Sequence, residues 1–287
     1  MKTRVLLLAL VGAFAAPLSS FAQGAPMGPP PIAQIFREVV KPGKGPAHEK
    51  YEAEWSRALE NAKFPVNFIA ISSITGPSEA WFLSGYGSWA EYEKMNNAIN
   101  GNAALAAVDA KFRPQEVDML TDARGMVARF RDDLSYEPGK EPLGVNRYFS
   151  ITRTQIRPGH GAEFEEARKM IKAAHEKAGL TDGFVIYEVT SGAPAGTFLT
   201  FVARKTLAEL DQGAQIHGPA YQAALGGDSA QKKLAALASS GTITAETNHF
   251  AFSPGMSYPA KEIVAADPAF WTPKPATVAK KPEPKKP

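Results

Sequence analysis

The sequence predicts an α+β protein: two ferredoxin-like β-α-β-β-α-β repeats packed sheet to sheet as an intrachain α/β barrel. Three observations carry that prediction. First, Ile35–Gly45 (IFREVVKPGKG) returns as Ile151–Gly161 (ITRTQIRPGHG) at an offset of 116, and residues 35–87 laid ungapped on 151–203 agree at 13 of 53 positions. Average composition gives about three or four matches by chance, and so long a period marks a duplicated domain, not a solenoid. Second, each copy reads strand, helix, hairpin, helix, strand. Third, the strands are apolar on both sides: Ile35 and Val39 point one way, Phe36 and Val40 the other. A sheet covered by helices on one face then needs a second sheet on its bare face.

The elements follow in order. Strand one covers about Ile35–Val40 and breaks at Pro42-Gly43. A helix from about Pro46 to Ala62 places His48, Tyr51, Trp55, Ala58, Leu59 and Ala62 on one stripe. Val66–Ile74 and Ala80–Gly87 form a hairpin around the turn Thr75-Gly76-Pro77-Ser78. Ser88 caps a second helix whose inner face includes Trp89, Tyr92 and Met95. An Ala-rich helical piece covers about Asn102–Phe112, and Gly125–Arg131 closes the unit. The second copy repeats the order: strand Arg147–Ile156, helix Ala162–Ala178, hairpin Phe184–Val189 and Thr197–Ala203. Thr206 then caps a helix, a further helical stretch runs over Ala220–Ala238, and Thr242–Phe252 is the closing strand. SWAEYE (88–93) meets TLAELD (206–211) at offset 118, so two residues enter before it. The resulting division is repeat 1 over 33–131, a polar linker over 132–145, repeat 2 over 146–256 and an extension over 257–287.

Residues 1–22 read as a secretory signal: the basic start MKTR, the apolar run VLLLALVGAFAAPL and the small-residue site Ser20-Phe21-Ala22. The expected location is therefore periplasmic or secreted, with no transmembrane segment once the signal is removed. Residues 23–32 are a Pro/Gly-rich flexible leader. With no Cys in 287 residues, disulfides, thiol chemistry and lipidation through an N-terminal Cys are excluded. The net charge is +3, but residues 1–23 carry +2 and 273–287 carry +4, which leaves −3 between them. That mildly acidic body argues against nucleic acid. The Lys/Pro tail is expected to be disordered, and its basic charge suits weak contact with an acidic envelope surface.

The strand–(K/R)PG(K/H)–amphipathic helix signature, twice over about residues 33–256, resembles the dimeric α/β-barrel superfamily. That superfamily includes antibiotic-biosynthesis-monooxygenase-like, NIPSNAP-like and chlorite-dismutase-like families. The resemblance implies the fold. It also implies an activity drawn from cofactor-free monooxygenases, isomerases, haem-dependent enzymes and proteins with no reaction. Haem is implied only in this way, since no haem-ligand motif transfers; otherwise no cofactor is expected.

The residues themselves suggest where a ligand would sit. Arg37 and Arg153 occupy equivalent mid-strand positions among apolar neighbours. Each must meet an anionic ligand, pair with a carboxylate from a neighbouring strand or helix, or snorkel to the sheet edge. His48 stands where the other copy has Phe164, and His175 where it has Leu59. Each is either a proton-transfer group or a hydrogen-bonded core histidine. His217 and Tyr221 flank the break at Gly218-Pro219. Tyr51, Trp55, Trp81, Trp89 and Tyr92 align with the smaller or aliphatic Ala167, Ile171, Thr197, Leu207 and Leu210 of the second copy, so one half has a fuller core and the other more room. No HxH or HExxH spacing is present, and no metal site is expected. No catalytic residue can be named. The leading expectation is a small, partly apolar organic ligand, with monooxygenase- or isomerase-type turnover; the alternative is a non-catalytic structural or interaction protein of the cell envelope.

Overall fold

The computed structural model describes residues 28–211 and 218–272. The signal, most of the leader, His217 and the Lys/Pro tail lie outside the described residues. Eight strands form one closed antiparallel barrel in the order β1-β3-β2-β8-β5-β7-β6-β4. They are β1 (Ile32–Val40), β2 (Phe68–Ser73), β3 (Glu79–Tyr86), β4 (Leu120–Phe130), β5 (Tyr148–Ile156), β6 (Val185–Ser191), β7 (Thr197–Arg204) and β8 (Thr242–Phe252). Each half supplies four neighbouring strands. The halves do more than face each other: β2 pairs with β8 and β4 with β6, so both seams are hydrogen-bonded.

Helices lie outside the barrel: α1 (Gly45–Asn61), α2 (Trp89–Asn100), α3 (Ala103–Glu116), α4 (Gly161–Ala178), α5 (Pro219–Leu225) and α6 (Gly227–Gly241). Local chemistry sets their ends. Gly43 and Gly159 turn the chain at φ 79° and 87° after β1 and β5, a region closed to most side chains. Ser88 accepts from Glu91 N at 3.1 Å while Glu91 accepts from Gly87 N at 2.7 Å, a reciprocal cap for α2. Asn102 caps α3 by accepting from Ala104 N. The expected inner face of α2 needs correction. Trp89 is 52% exposed, and only Tyr92 and Met95 pack, half-buried, against Tyr86 and its neighbours.

Strand pairing relocates the insertion. Ile35 pairs with Leu83, but Ile151 pairs with Phe201, two residues further on. The offset is therefore already 118 within β7, and the extra residues lie in the β6–β7 hairpin. Trp81 corresponds in space to Leu199, not Thr197. An even shift leaves every side chain on its original face, so the ungapped alignment still reads the pattern correctly.

The repeat also runs past its closing strand. In the expected linker, Leu134, Ser135 and Tyr136 are buried, and they match Met256, Ser257 and Tyr258 at offset 122. Ser135 Oγ accepts from Ile186 N and donates to Arg131 O; Ser257 Oγ accepts from Ala70 N and donates to Ser253 O, all at 2.7–2.9 Å. Tyr136 bridges Phe184 as Tyr258 bridges Phe68. The serine satisfies a strand amide at the edge of each half where no strand partner continues.

The barrel interior is packed, with Trp81, Phe149, Tyr187, Phe201, Phe250 and Phe252 among its side chains. One end is stoppered by the extension, which folds as α7 (Lys261–Ala266) and α8 (Pro268–Trp271). Trp271 enters the core, stacks near Phe252 at 5.9 Å and donates Nε1–H to Gly144 O at 2.7 Å. Arg147 holds the stopper from outside by pairing with Asp267 and lying 3.9 Å over the Phe270 ring.

Both seams are guarded by a left-handed glycine, Gly76 (φ 77°) and Gly192 (φ 86°). A Cβ on Gly76 would meet the flexible Asn248 side chain at 2.3 Å; one on Gly192 would meet the Gly125 carbonyl oxygen at 2.1 Å. Alanine costs about 1–2 kcal/mol at either for its conformation. Gly192→Ala must also displace the β4–β6 seam, so its melting temperature is expected to fall several degrees further than that of Gly76→Ala.

Candidate functional site

Three places gather the polar side chains that this core does not use. The first is the open end of the barrel. Arg37, Arg153, Glu79, Glu246, Trp81 and Asn248 line one small cleft there. Its volume is about 10 Å³, about what one water needs. Arg37 donates through Nε to Glu79 Oε2 at 2.7 Å, and its other arm also reaches the Glu79 carboxylate. Trp81 Nε1 donates to the same carboxylate at 2.8 Å. The Glu79 hydrogen bond raises the Arg37 pKa. Arg153 pairs with Glu246 at 3.1 Å in a more exposed setting. Both arginines thus meet carboxylates of neighbouring strands, the ion-pair alternative that their positions allowed. The cleft is a lid of ion pairs.

The second place is the helix–sheet layer of repeat 1. Glu38 points outward from β1 into α1, which carries His48 and, one turn on, Glu52. All three are buried, at 3%, 3% and 2% exposure. His48 Nε2 lies 2.7 Å from Glu38 Oε2 and 3.6 Å from Glu52 Oε1. Tyr51, Phe112 and Met119 wall the site with apolar surface. Burial is the main force raising the Glu52 carboxyl, followed by the charges of Glu38 and Glu116. Burial and Glu38 raise the half-buried Glu116 at the end of α3 as well. His48 was legible as a candidate; Glu38 and Glu52 were not. Their signal was comparison with the other copy, where Thr154, Phe164 and Arg168 occupy the three positions.

The third place is the matching layer of repeat 2. The smaller side chains there do not leave it empty. His175 is buried among Tyr136, Phe184 and Tyr221, with ring centroids 5.2–5.5 Å away, and its Nδ1 meets Ile171 O at 2.8 Å. Arg168, at the position of Glu52, lies 5.0 Å over the Phe184 ring. Among the described residues it forms no ion pair or hydrogen bond, and its Nε is shut away from solvent without a partner. Desolvation pulls the guanidinium down to about 10. The structure therefore brings His175, Tyr221 and the unforeseen Arg168 together, and keeps them apart from His48 and from Arg37 and Arg153. No helix among the described residues is long and apolar enough to cross a membrane.

No family model matches the sequence, and no curated protein does. Solved structures do. An anthrone oxidase-like protein is 12% identical, with 77% of this chain and 90% of that chain covered at a TM-score of 0.51. A proposed monooxygenase from Fusobacterium nucleatum subsp. nucleatum is 10% identical over 78% of this chain and 93% of that chain, at 0.49. A mutant chlorite dismutase from Candidatus Nitrospira defluvii is 12% identical over 83% and 95%, at 0.42. At such identities the likeness is one of fold. The fold is that of the dimeric α/β barrels, with both halves carried on one chain.

Proposed function

We propose that the protein binds a small, partly apolar organic anion in the helix–sheet layer of repeat 2, with Arg168 as the counter-charge. One observation carries the reading: a guanidinium whose Nε is buried without a partner. A buried donor left unmade costs about 1–3 kcal/mol. The sister position shows that the fold accepts a different residue here, so Arg168 is not a requirement of packing. A carboxylate would meet the guanidinium in the bidentate geometry arginine favours. The layer itself is filled, so the apolar body of the ligand would lie along its outer edge, beside Phe184 and Tyr221. The basic start, apolar run and small-residue site within residues 1–22 support an exported location for this binding.

The filled barrel interior favours a second reading, a non-catalytic envelope protein, and one experiment separates the two. A thermal-shift panel of aromatic and aliphatic monocarboxylates is run against the matching primary amides. The expected result is stabilisation by at least one carboxylate, none by its amide, and loss of the shift in Arg168→Met. Unliganded Arg168→Met is expected to gain about 1 kcal/mol, since the uncompensated donor is gone. No carboxylate shift, or one that survives the substitution, would sink the anion reading.

A further inference from the structure

We propose that Glu38, His48 and Glu52 form a divalent-metal site in repeat 1. This rests on different residues from the anion site and stands without it.

The ligand atoms, Glu38 Oε2, His48 Nε2 and one carboxylate oxygen of Glu52, all lie within 4.8 Å of one another. Ligands held about 2.0–2.2 Å from a zinc-like ion at ordinary angles stand about 3.0–3.4 Å apart. The observed separations from His48 Nε2 are 2.7 and 3.6 Å. One pair must open and the other close by roughly half an ångström, which side-chain torsions provide. The backbone already aims the set: His48 and Glu52 are one turn apart on α1, and Glu38 faces them from β1.

The three groups lie together in a buried layer: Glu38 is hydrogen-bonded to His48, and the Glu52 carboxyl lies 3.6 Å from the same His48 nitrogen. A buried carboxyl is normally paired, neutralised by a proton, or on a metal. One imidazole cannot balance Glu38 and Glu52 when both are ionised; a doubly charged ion can. Repeat 2 is a built-in control, since it completes the same layer with Thr154, Phe164 and Arg168. One nitrogen among carboxylate oxygens selects Zn²⁺, Mn²⁺, Fe²⁺ or Co²⁺ over Ca²⁺ and Mg²⁺, which take oxygen ligands. No metal motif was legible because Glu38 lies on β1 while His48 and Glu52 lie on α1, and a single His–Glu pair at i,i+4 is common on helices without a metal.

The test uses the full chain without an affinity tag, stripped by chelator and dialysed. Zn²⁺ and Mn²⁺ are titrated separately by calorimetry, and melting is followed with and without each ion. The expected result is one ion per chain with a raised melting temperature, and at least tenfold weaker binding in both Glu52→Gln and His48→Phe. His48→Phe installs the sister repeat's residue, so it is expected to fold, and circular dichroism checks this. Arg168→Met is expected to bind the ion normally. Absence of saturable binding by the stripped protein, or binding unchanged in both variants, would overturn the site. Weak binding of several ions per chain would overturn it too.

Discussion

Trp271→Ala is expected to cost about 3–5 kcal/mol, the range for truncating a buried large aromatic. Trp271 is 3% exposed and is part of the barrel's own core. Its loss opens a cavity against Phe252 and strips Gly144 O of its donor. Chemical denaturation gives the size of the effect. Trp271→Phe separates its two parts: it fills most of the space but cannot donate, so a loss of about 1 kcal/mol is expected for the hydrogen bond. If Trp271→Ala melts like the parent, the extension is not a stopper and the barrel closes without it.

The two strand arginines are expected to behave unlike each other. Arg37→Met leaves Glu79, whose side chain is 4% exposed, without its cation. Breaking a buried pair from one side costs about 3–5 kcal/mol. Arg153→Met breaks a pair in which both side chains are more than a third exposed, and a loss below about 1 kcal/mol is expected. Adding Glu79→Gln to Arg37→Met is expected to recover much of the loss, because the stranded charge is removed. Equal effects at the two positions would mean that the barrel end is more symmetrical than its carboxylates are.

The fold was legible because duplication writes each structural constraint twice. The Pro-Gly turns, the two-faced strands and Ile35/Ile151 recur where the backbone must do the same thing. Phe82 and Phe198 show the limit: identical in sequence, they sit two residues apart in strand register. Hydrophobic patterning fixes which way a side chain points but not its partner, and an insertion of two leaves that pattern intact. The stretch Leu134–Tyr136 read as a linker because its neighbours are charged; its burial comes from contacts with β6, far along the chain. The sites were less legible for the opposite reason. Arg37 and Arg153 stood out by being repeated, yet they close on carboxylates of neighbouring strands. Glu38, Glu52 and Arg168 matter because they are not repeated, and a lone Glu or Arg on a charged helix looks like solvated surface.

The hydrogen-bonded seams have one more consequence. Two separate half-barrels would have to find each other by diffusion and would expose open sheet edges until they did. Joined on one chain, each half meets its counterpart at an effective concentration that dilution does not lower, on the order of millimolar for a short connection. Assembly of the barrel is then a folding step, and the barrel is expected to stay intact at nanomolar concentration.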